Sequence, residues 1–372
     1  MKVAFPHMGN SYIALSALLE NMGAQVIIPP RPTRRTIELG SLHAPEFVCL
    51  PFKVNLGDNI QALEMGADTL AMVSGMWACR FGYYGRVQHQ ILRDAGFEFD
   101  SVLLGRESLS SVYNRFRGVA SGNLAMAWLG AVRAFMRKAS AVNRLEAMAL
   151  ELRPRERDRG STSKALERAL GTVHAAKGLK ETGRALAEGK SLLEKVDLAS
   201  RREEPLRVTV LGELYVVLEP ALNFDMERKL GEMGVRAFPV LSVYRWLLRS
   251  LKVDPRITID ERLAIRTARP YIAYDLGGEE HMTIAGTIRA AKAGHDGVIH
   301  LYPFTCMPEN IARTILPRIE KEYDIPVLNI CLDEHASPTG VATRLEAFTD
   351  LLRQRRKKRQ PSSMGQATVT KG

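Results

Sequence analysis

Short apolar runs alternate with amphipathic stretches over the first hundred residues. KVAF reads as a buried strand, Asn10 and Ser11 are cap-type residues ahead of IALSALLENM, and Gly23 closes that helix before the strand AQVII. The rhythm continues with a strand at EFVCL, a helix over Leu56 to Met65, the strand TLAMVS, a helix over Tyr84 to Ala95 and a strand at SVLLG. Such alternation builds a parallel sheet with helices on its faces. Between about Ser110 and Ser200 proline nearly vanishes, and apolar residues recur three and four apart among Ala, Lys, Arg and Glu, which predicts helices broken by the exposed connection LRPRERDRGSTS, Leu152 to Ser163. From Pro205 the first rhythm returns. It runs through LRVTVLGE, helices over Phe224 to Met233, Val243 to Leu251 and from Glu279, the strand GVIHLY, a helix over Glu309 to Tyr323, the strand PVLNI and a closing helix over Val341 to Arg353. The expected class is α/β, with two Rossmann-like lobes of parallel sheet and a helical middle segment. Its boundaries are residues 1–107, 108–204 and 205–354, and 355–372 form a disordered basic tail.

Composition adds limits. A chain of 372 residues exceeds what one core usually supports, about 250–300, so two lobes are the natural division. The start MKVAFPHMGNSY has neither a secretory nor a transit pattern, and no run approaches the ~18 apolar residues of a membrane span, so a cytoplasmic protein without membrane contact is expected. The net charge of +11 collects in the helical middle and at the C-terminal end, which leaves the lobes mildly acidic. The run RRKKR therefore reads as a solvated tail, not as a nucleic-acid footprint. No Walker A pattern occurs, so ATP hydrolysis by the P-loop route is not expected of this chain.

Four cysteines carry the candidate chemistry. Cys49 ends EFVC, Cys79 follows TLAMVSGMWA, Cys306 follows GVIHLYPFT and Cys331 ends PVLNIC, so all four map to strand exits, where ligands of open parallel sheets collect. Arg80 and Lys53 stand ready to favour thiolate at Cys79 and Cys49, and a helix N-terminus does so at Cys306. There is no C-x-x-C pair, and a buried cysteine is ordinarily a small core side chain, so metal site and plain core both stay open. His7, after the first strand, suits a proton donor or a structural hydrogen bond. Asp333, Glu334 and His335, just past Cys331, suit acid–base work or a solvated loop.

The segments RPTRRTIELGSLHAPEFVCLPFK, ADTLAMVSGMWACRFGYYG, GELYVVLEPALNFDMERKLGEMGV, DGVIHLYPFTCMPENIARTILPRI and DEHASPTGVATRLEAFTDLL resemble those of the 2-hydroxyacyl-CoA dehydratase superfamily. Within it they look like the stand-alone branch called CoA protein activase or activase-associated protein. The resemblance covers both lobes and implies a [4Fe–4S] cluster between them, held by Cys49, Cys79 and Cys306, with one iron lacking a thiolate. It further implies a separate ATP-dependent activase that supplies an electron, an acyl-CoA as substrate of an anaerobic lyase or, for an electron relay, none, and pairing as a homodimer or with a paralogous subunit. On that pattern His7, Glu334 and His335 are the candidate catalytic residues. The chain also departs from the pattern. Met76 stands where relatives carry the first cysteine of a GCGPC-like loop, so either three thiolates suffice or Cys331 supplies a fourth. DEHASPTG replaces a DEHTGEAG-like stretch. A cluster-free interaction or regulatory relative, and a zinc site using all four cysteines, are the competing expectations.

Overall fold

The computed structural model describes residues 1–73, 79–104, 124–200, 204–250 and 255–359. Met76 and Trp77 of the cysteine loop, the start of the expected helical segment and the chain beyond Arg359 lie outside these residues.

Two four-stranded, all-parallel sheets bear out the α/β expectation. The first has β1 (Lys2–Ala4), β2 (Gln25–Ile27), β3 (Thr69–Val73) and β4 (Asp100–Leu104) in the order β2-β1-β3-β4. Its helices are α1 (Tyr12–Asn21), α2 (Arg34–His43), α3 (Leu50–Glu64) and α4 (Phe81–Asp94). The second sheet, of β5 (Leu206–Gly212), β6 (Val235–Pro239), β7 (Gly297–Pro303) and β8 (Val327–Leu332), has the order β6-β5-β7-β8. That is the same winding as the first. In each sheet the chain reverses direction of growth beside the first strand, between β1 and β3 and between β5 and β7, which opens a crevice at the carboxyl ends. β7 is buried at every position, as expected of a central strand covered on both faces.

Between the lobes run α5 (Leu124–Leu152), a 3-10 turn (Arg153–Arg155), α6 (Ser161–Ala175) and α7 (Gly178–Glu194), so the second expected helical stretch is two helices. They share a core of Ala141, Leu145, Ala149, Leu166, Ala169, Leu170, Val173, Ala185 and Leu193. α5 packs on α1 of the first lobe, and its C-terminal end reaches the second, where Glu151 pairs with Arg236. The middle segment thus braces both lobes. The second lobe's helices are α8 (Leu214–Leu218), α9 (Met226–Glu232), α10 (Val243–Ser250), α11 (Pro255–Ala268), α12 (Glu280–Lys292), α13 (Met307–Tyr323) and α14 (Pro338–Arg359).

Three expectations need correction. EFVCL is not a strand: it turns at Glu46 and Phe47, and Cys49 then caps α3, whose second residue Pro51 suits a first helical turn. The helix expected from Leu56 therefore begins at Leu50. The basic run is not a loose tail, because α14 continues through Arg359. Arg355 and Arg359 reach Asp324, and Arg356 pairs with Asp296 and bonds the carbonyls of Glu204 and Pro205. Cys331, expected to end its strand, is the penultimate residue of β8, with Leu332 following it.

The lobes are packed against each other. Leu50 and Val54 of α3 belong to the core of the second lobe, with Val210, Tyr215, Leu301 and Leu332. Gly9, at a left-handed φ of 53°, donates its N–H to Glu219 (2.7 Å), and a Cβ there would sit 2.5 Å from the Leu218 carbonyl oxygen. Only glycine permits that approach.

Candidate functional site

Cys49, Cys79 and Cys306 all stand at helix starts. Cys49 is the cap of α3, Cys306 the cap of α13, and Cys79 directly precedes Arg80, the cap of α4. Cys79 and Cys306 occupy equivalent places, each following the third strand of its sheet, β3 or β7. The backbone N–H groups of Phe52, Phe81 and Glu309 each favour the anion of the neighbouring sulfur, although neither Cys49 nor Cys306 completes a full capping hydrogen bond. A helix N-terminus stabilises negative charge, so each of these ends offsets part of what burial costs a thiolate there.

One side chain ties the three cysteine loops together. The Arg80 guanidinium donates to the carbonyl of Phe47, two residues before Cys49, at 3.4 Å, and to the carbonyl of Thr305, next to Cys306, at 2.5 Å. Arg80 is itself the neighbour of Cys79. Across the cleft Lys53, one turn past Cys49, pairs with Glu334 of the second lobe. Tyr84 bonds the Cys49 sulfur through its hydroxyl, with its ring edge-on to Phe52 at 4.8 Å.

Glu213, at the exit of β5, is the common electrostatic neighbour of all three thiols. Burial and the charges of Glu309 and Glu279 raise its carboxyl to about 7, while the N–H groups of Val216 and Tyr215 hold it down. Val216 donates to its Oε2 at 3.0 Å. Burial, then Glu213, pushes the Cys49 thiol up to about 12. Burial raises Cys306 further still, aided by Glu213 and Glu309. Cys79 is also raised, chiefly by burial, and the expected help of Arg80 is present but outweighed. Lys53, expected to serve Cys49, is engaged by Glu334 instead. Each of the three sulfurs thus lies within electrostatic reach of the buried Glu213, which disfavours its thiolate.

Among the described residues the cysteines are not grouped around a single ion. Tetrahedral zinc would bring its sulfurs to about 3.8 Å from one another, given Zn–S bonds of ~2.3 Å. Among the described residues no group of three ligand atoms within 4.8 Å of one another includes a cysteine. Cys331 keeps other company, since its thiol bonds Tyr302 and feels Asp333, Arg313 and Arg344.

The group that does meet the close spacing is Asp275, Glu280 and His281. Its centre, Glu280, already accepts from the backbone N–H groups of Leu276 (2.8 Å) and Gly278 (3.2 Å) and faces His281 Nδ1 at 3.0 Å. These bonds explain it as a fastening of the loop before α12.

The proposed acid–base residues separate. His7 is buried, its Nε2 meets the Pro29 carbonyl at 2.6 Å, its N–H donates to Asp58 (2.9 Å) and its carbonyl accepts from Tyr215. Burial lowers its pKa, so it is a neutral ring fixed between lobes. Burial alone would raise Glu334, but the hydrogen bond and charge of Lys53 hold its carboxyl below the usual range. His335 is exposed in the same turn. Glu213 and Glu309 have no sequence signal of this kind, because each meets the cysteines only through the fold.

The fold is that of a two-lobed, parallel α/β protein, and Arg80 links the cysteine-bearing helix starts of its two lobes. In comparisons with known proteins, the chain matches no family model and no curated protein. Among the described residues no helix is long and apolar enough to cross a membrane.

Proposed function

We propose that the chain holds a [4Fe–4S] cluster through Cys49, Cys79 and Cys306 and takes part in electron-driven dehydration of an acyl-CoA with a separate ATP-dependent activase. The observation that carries this reading is the Arg80 bridge, which gathers three cysteine segments distant in sequence into one cleft at the carboxyl ends of two parallel sheets. When bound, the cluster would supply one-electron reduction of the thioester. The protein's own residues do the rest. The helix starts at Cys49, Cys79 and Cys306 favour the anionic sulfurs, and burial restricts water. Tyr84 hydrogen-bonds the Cys49 sulfur, and Lys53 pairs with Glu334 across the lobes.

Anaerobic reconstitution with iron and sulfide tests the reading. The expected product carries a full complement of both and a visible absorbance that bleaches with dithionite. Tight acyl-CoA binding by that product identifies a catalytic subunit, and colour without it identifies an electron relay. Protein that retains no acid-labile sulfide would instead be the cluster-free interaction or regulatory form.

A further inference from the structure

A small cavity sits where the three parts of the chain meet. Asn10 and Ser11, just before α1 of the first lobe, form one wall, Asn143 and Glu146 of α5 a second, and Val243 and Tyr244, which open α10 of the second lobe, a third. It has room for about one occupant the size of a water molecule. No cysteine lines it, so what it binds is independent of the cluster reading.

The polar groups around this space have unspent bonding capacity. Asn10 Nδ2 donates to Glu146 Oε1 at 2.7 Å, which leaves the Asn10 side-chain oxygen and Glu146 Oε2 for other partners. Ser11 is only 3% exposed, its side chain does not cap α1, and its Oγ makes no hydrogen bond. Among the described residues the Asn143 amide and the Tyr244 hydroxyl make none either. Buried polar groups are seldom left this way, because the loss of water goes uncompensated.

Charge narrows the occupant. Burial, with the charge of Glu227, raises the Glu146 carboxyl to about 7, while its bond to Asn10 and the charge of Arg153 hold it down. Glu227 and Arg153 are of opposite sign, so the negative charge of Glu146 goes unmatched, and among the described residues no lysine, arginine or histidine lines the cavity. The first turn of α1 supplies only a partial positive charge. A buried carboxylate without a partner is costly, so an anion or an apolar group is a poor occupant. All five polar side chains offer an oxygen, the ligand that hard cations take. Magnesium keeps several waters in a strict octahedron, for which there is no room. An ion such as potassium instead exchanges its hydration shell for protein oxygens.

We propose that this cavity binds one dehydrated monovalent cation, of the potassium or ammonium kind, through Glu146 with side-chain oxygens of Asn10, Ser11, Asn143 and Tyr244. The ion joins the first lobe, the helical middle and the second lobe at one point, and its binding stabilises their arrangement.

Thermal unfolding of the full-length protein, freed of potassium and ammonium and titrated with KCl against choline chloride at constant ionic strength, tests the site. Wild type is expected to gain roughly 2–4 °C in Tm, saturably, from KCl and not from choline. Each variant is compared with itself in the two salts, so a change in its basal Tm does not enter. Glu146→Gln should lose the potassium increment, and Ser11→Ala should need more KCl to reach half of it. Should Glu146→Gln fail to fold, Asn143→Ala takes its place under the same criterion. A response to NH4Cl without one to KCl keeps the class of ion and names its member. Equal Tm in KCl, NH4Cl and choline chloride means a cavity that holds water alone and overturns the proposal, as does an increment fully retained in Glu146→Gln. A larger increment from CaCl2 than from KCl overturns the single charge. In crystals soaked with thallium(I) acetate, an anomalous peak between Ser11 and Glu146 supports the site, and peaks only elsewhere overturn it.

Discussion

Replacing Arg80 by methionine keeps the aliphatic stem and removes the guanidinium that joins the three cysteine segments. Of its two bonds, the one to Phe47 is long at 3.4 Å and contributes little, while the one to Thr305 is short. A bond from a charged donor contributes ~1.5–3 kcal/mol when buried, and the exposure of Arg80 reduces this to about 1–2 kcal/mol. Loss of the bridge should therefore raise the population of locally opened cleft roughly 5- to 30-fold while moving the global melting temperature little. Alkylation of the metal-free protein, followed residue by residue by mass spectrometry, reads this directly. Cys49 and Cys306 should label roughly 5- to 30-fold faster in Arg80→Met, with Cys331 as the unaffected internal control. Cys79 is a poor reporter because loss of the adjacent cation also disfavours its thiolate. Unchanged rates at both Cys49 and Cys306 would refute the claim that Arg80 closes the cleft.

Further outcomes follow from other contacts. Gly57→Ala places a Cβ 1.9 Å from the Thr36 carbonyl oxygen and must push α2 off α3, so a loss of about 2–3 kcal/mol is expected in chemical denaturation; a change under about 0.5 kcal/mol would contradict the packing. His89 is buried, and burial, helped by Arg93, lowers its pKa from 6.5 to about 4. Because the folded form resists a proton that the unfolded chain accepts, its contribution, on the order of 3 kcal/mol, is full above about pH 6.5 and is lost on acidification to about pH 4. The pH–stability slope across that window should flatten in His89→Gln, and an unaltered slope would exclude His89 as its source. Tyr84→Phe deletes the hydrogen bond to the Cys49 sulfur, so reconstituted protein should have a more negative midpoint potential by redox titration; a midpoint equal to wild type would show that the hydroxyl does not tune the cluster.

Much of the fold was legible because its signals are local. Val, Ile and Leu runs bounded by turn residues marked β5 and β7, and three- and four-residue periodicity marked α5 to α7. EFVCL misled for a physical reason: a four- or five-residue apolar run looks alike in a buried strand and in a turn leading to a buried helix start. Pro51 was the available clue to the helix. VRAFP, short and interrupted by Arg236, became β6 only through its pairing with β5. The basic C-terminal run looked unable to order itself, yet Asp324 and Asp296, far away in sequence, receive its arginines.

The site was legible as a set of residue types and not as an arrangement. The neighbourhood of Cys79 and Cys306 to strand ends followed from the alternation of elements. Their approach to Cys49 depends on Arg80 meeting Phe47 and Thr305, and on Leu50 and Val54 packing into the opposite lobe, which no local pattern encodes. His7 illustrates the converse. Its place at a strand exit suited catalysis, but Pro29, Asp58 and Tyr215 occupy its ring nitrogen and both backbone groups.

The most direct test is iron and sulfide content after anaerobic reconstitution of four single Cys→Ser variants. Cys49→Ser, Cys79→Ser and Cys306→Ser should each lose most of the cluster, and Cys331→Ser should load like wild type. Full loading of any of the first three, or loss of the cluster in Cys331→Ser, would contradict a site built from the three sulfurs that Arg80 draws together.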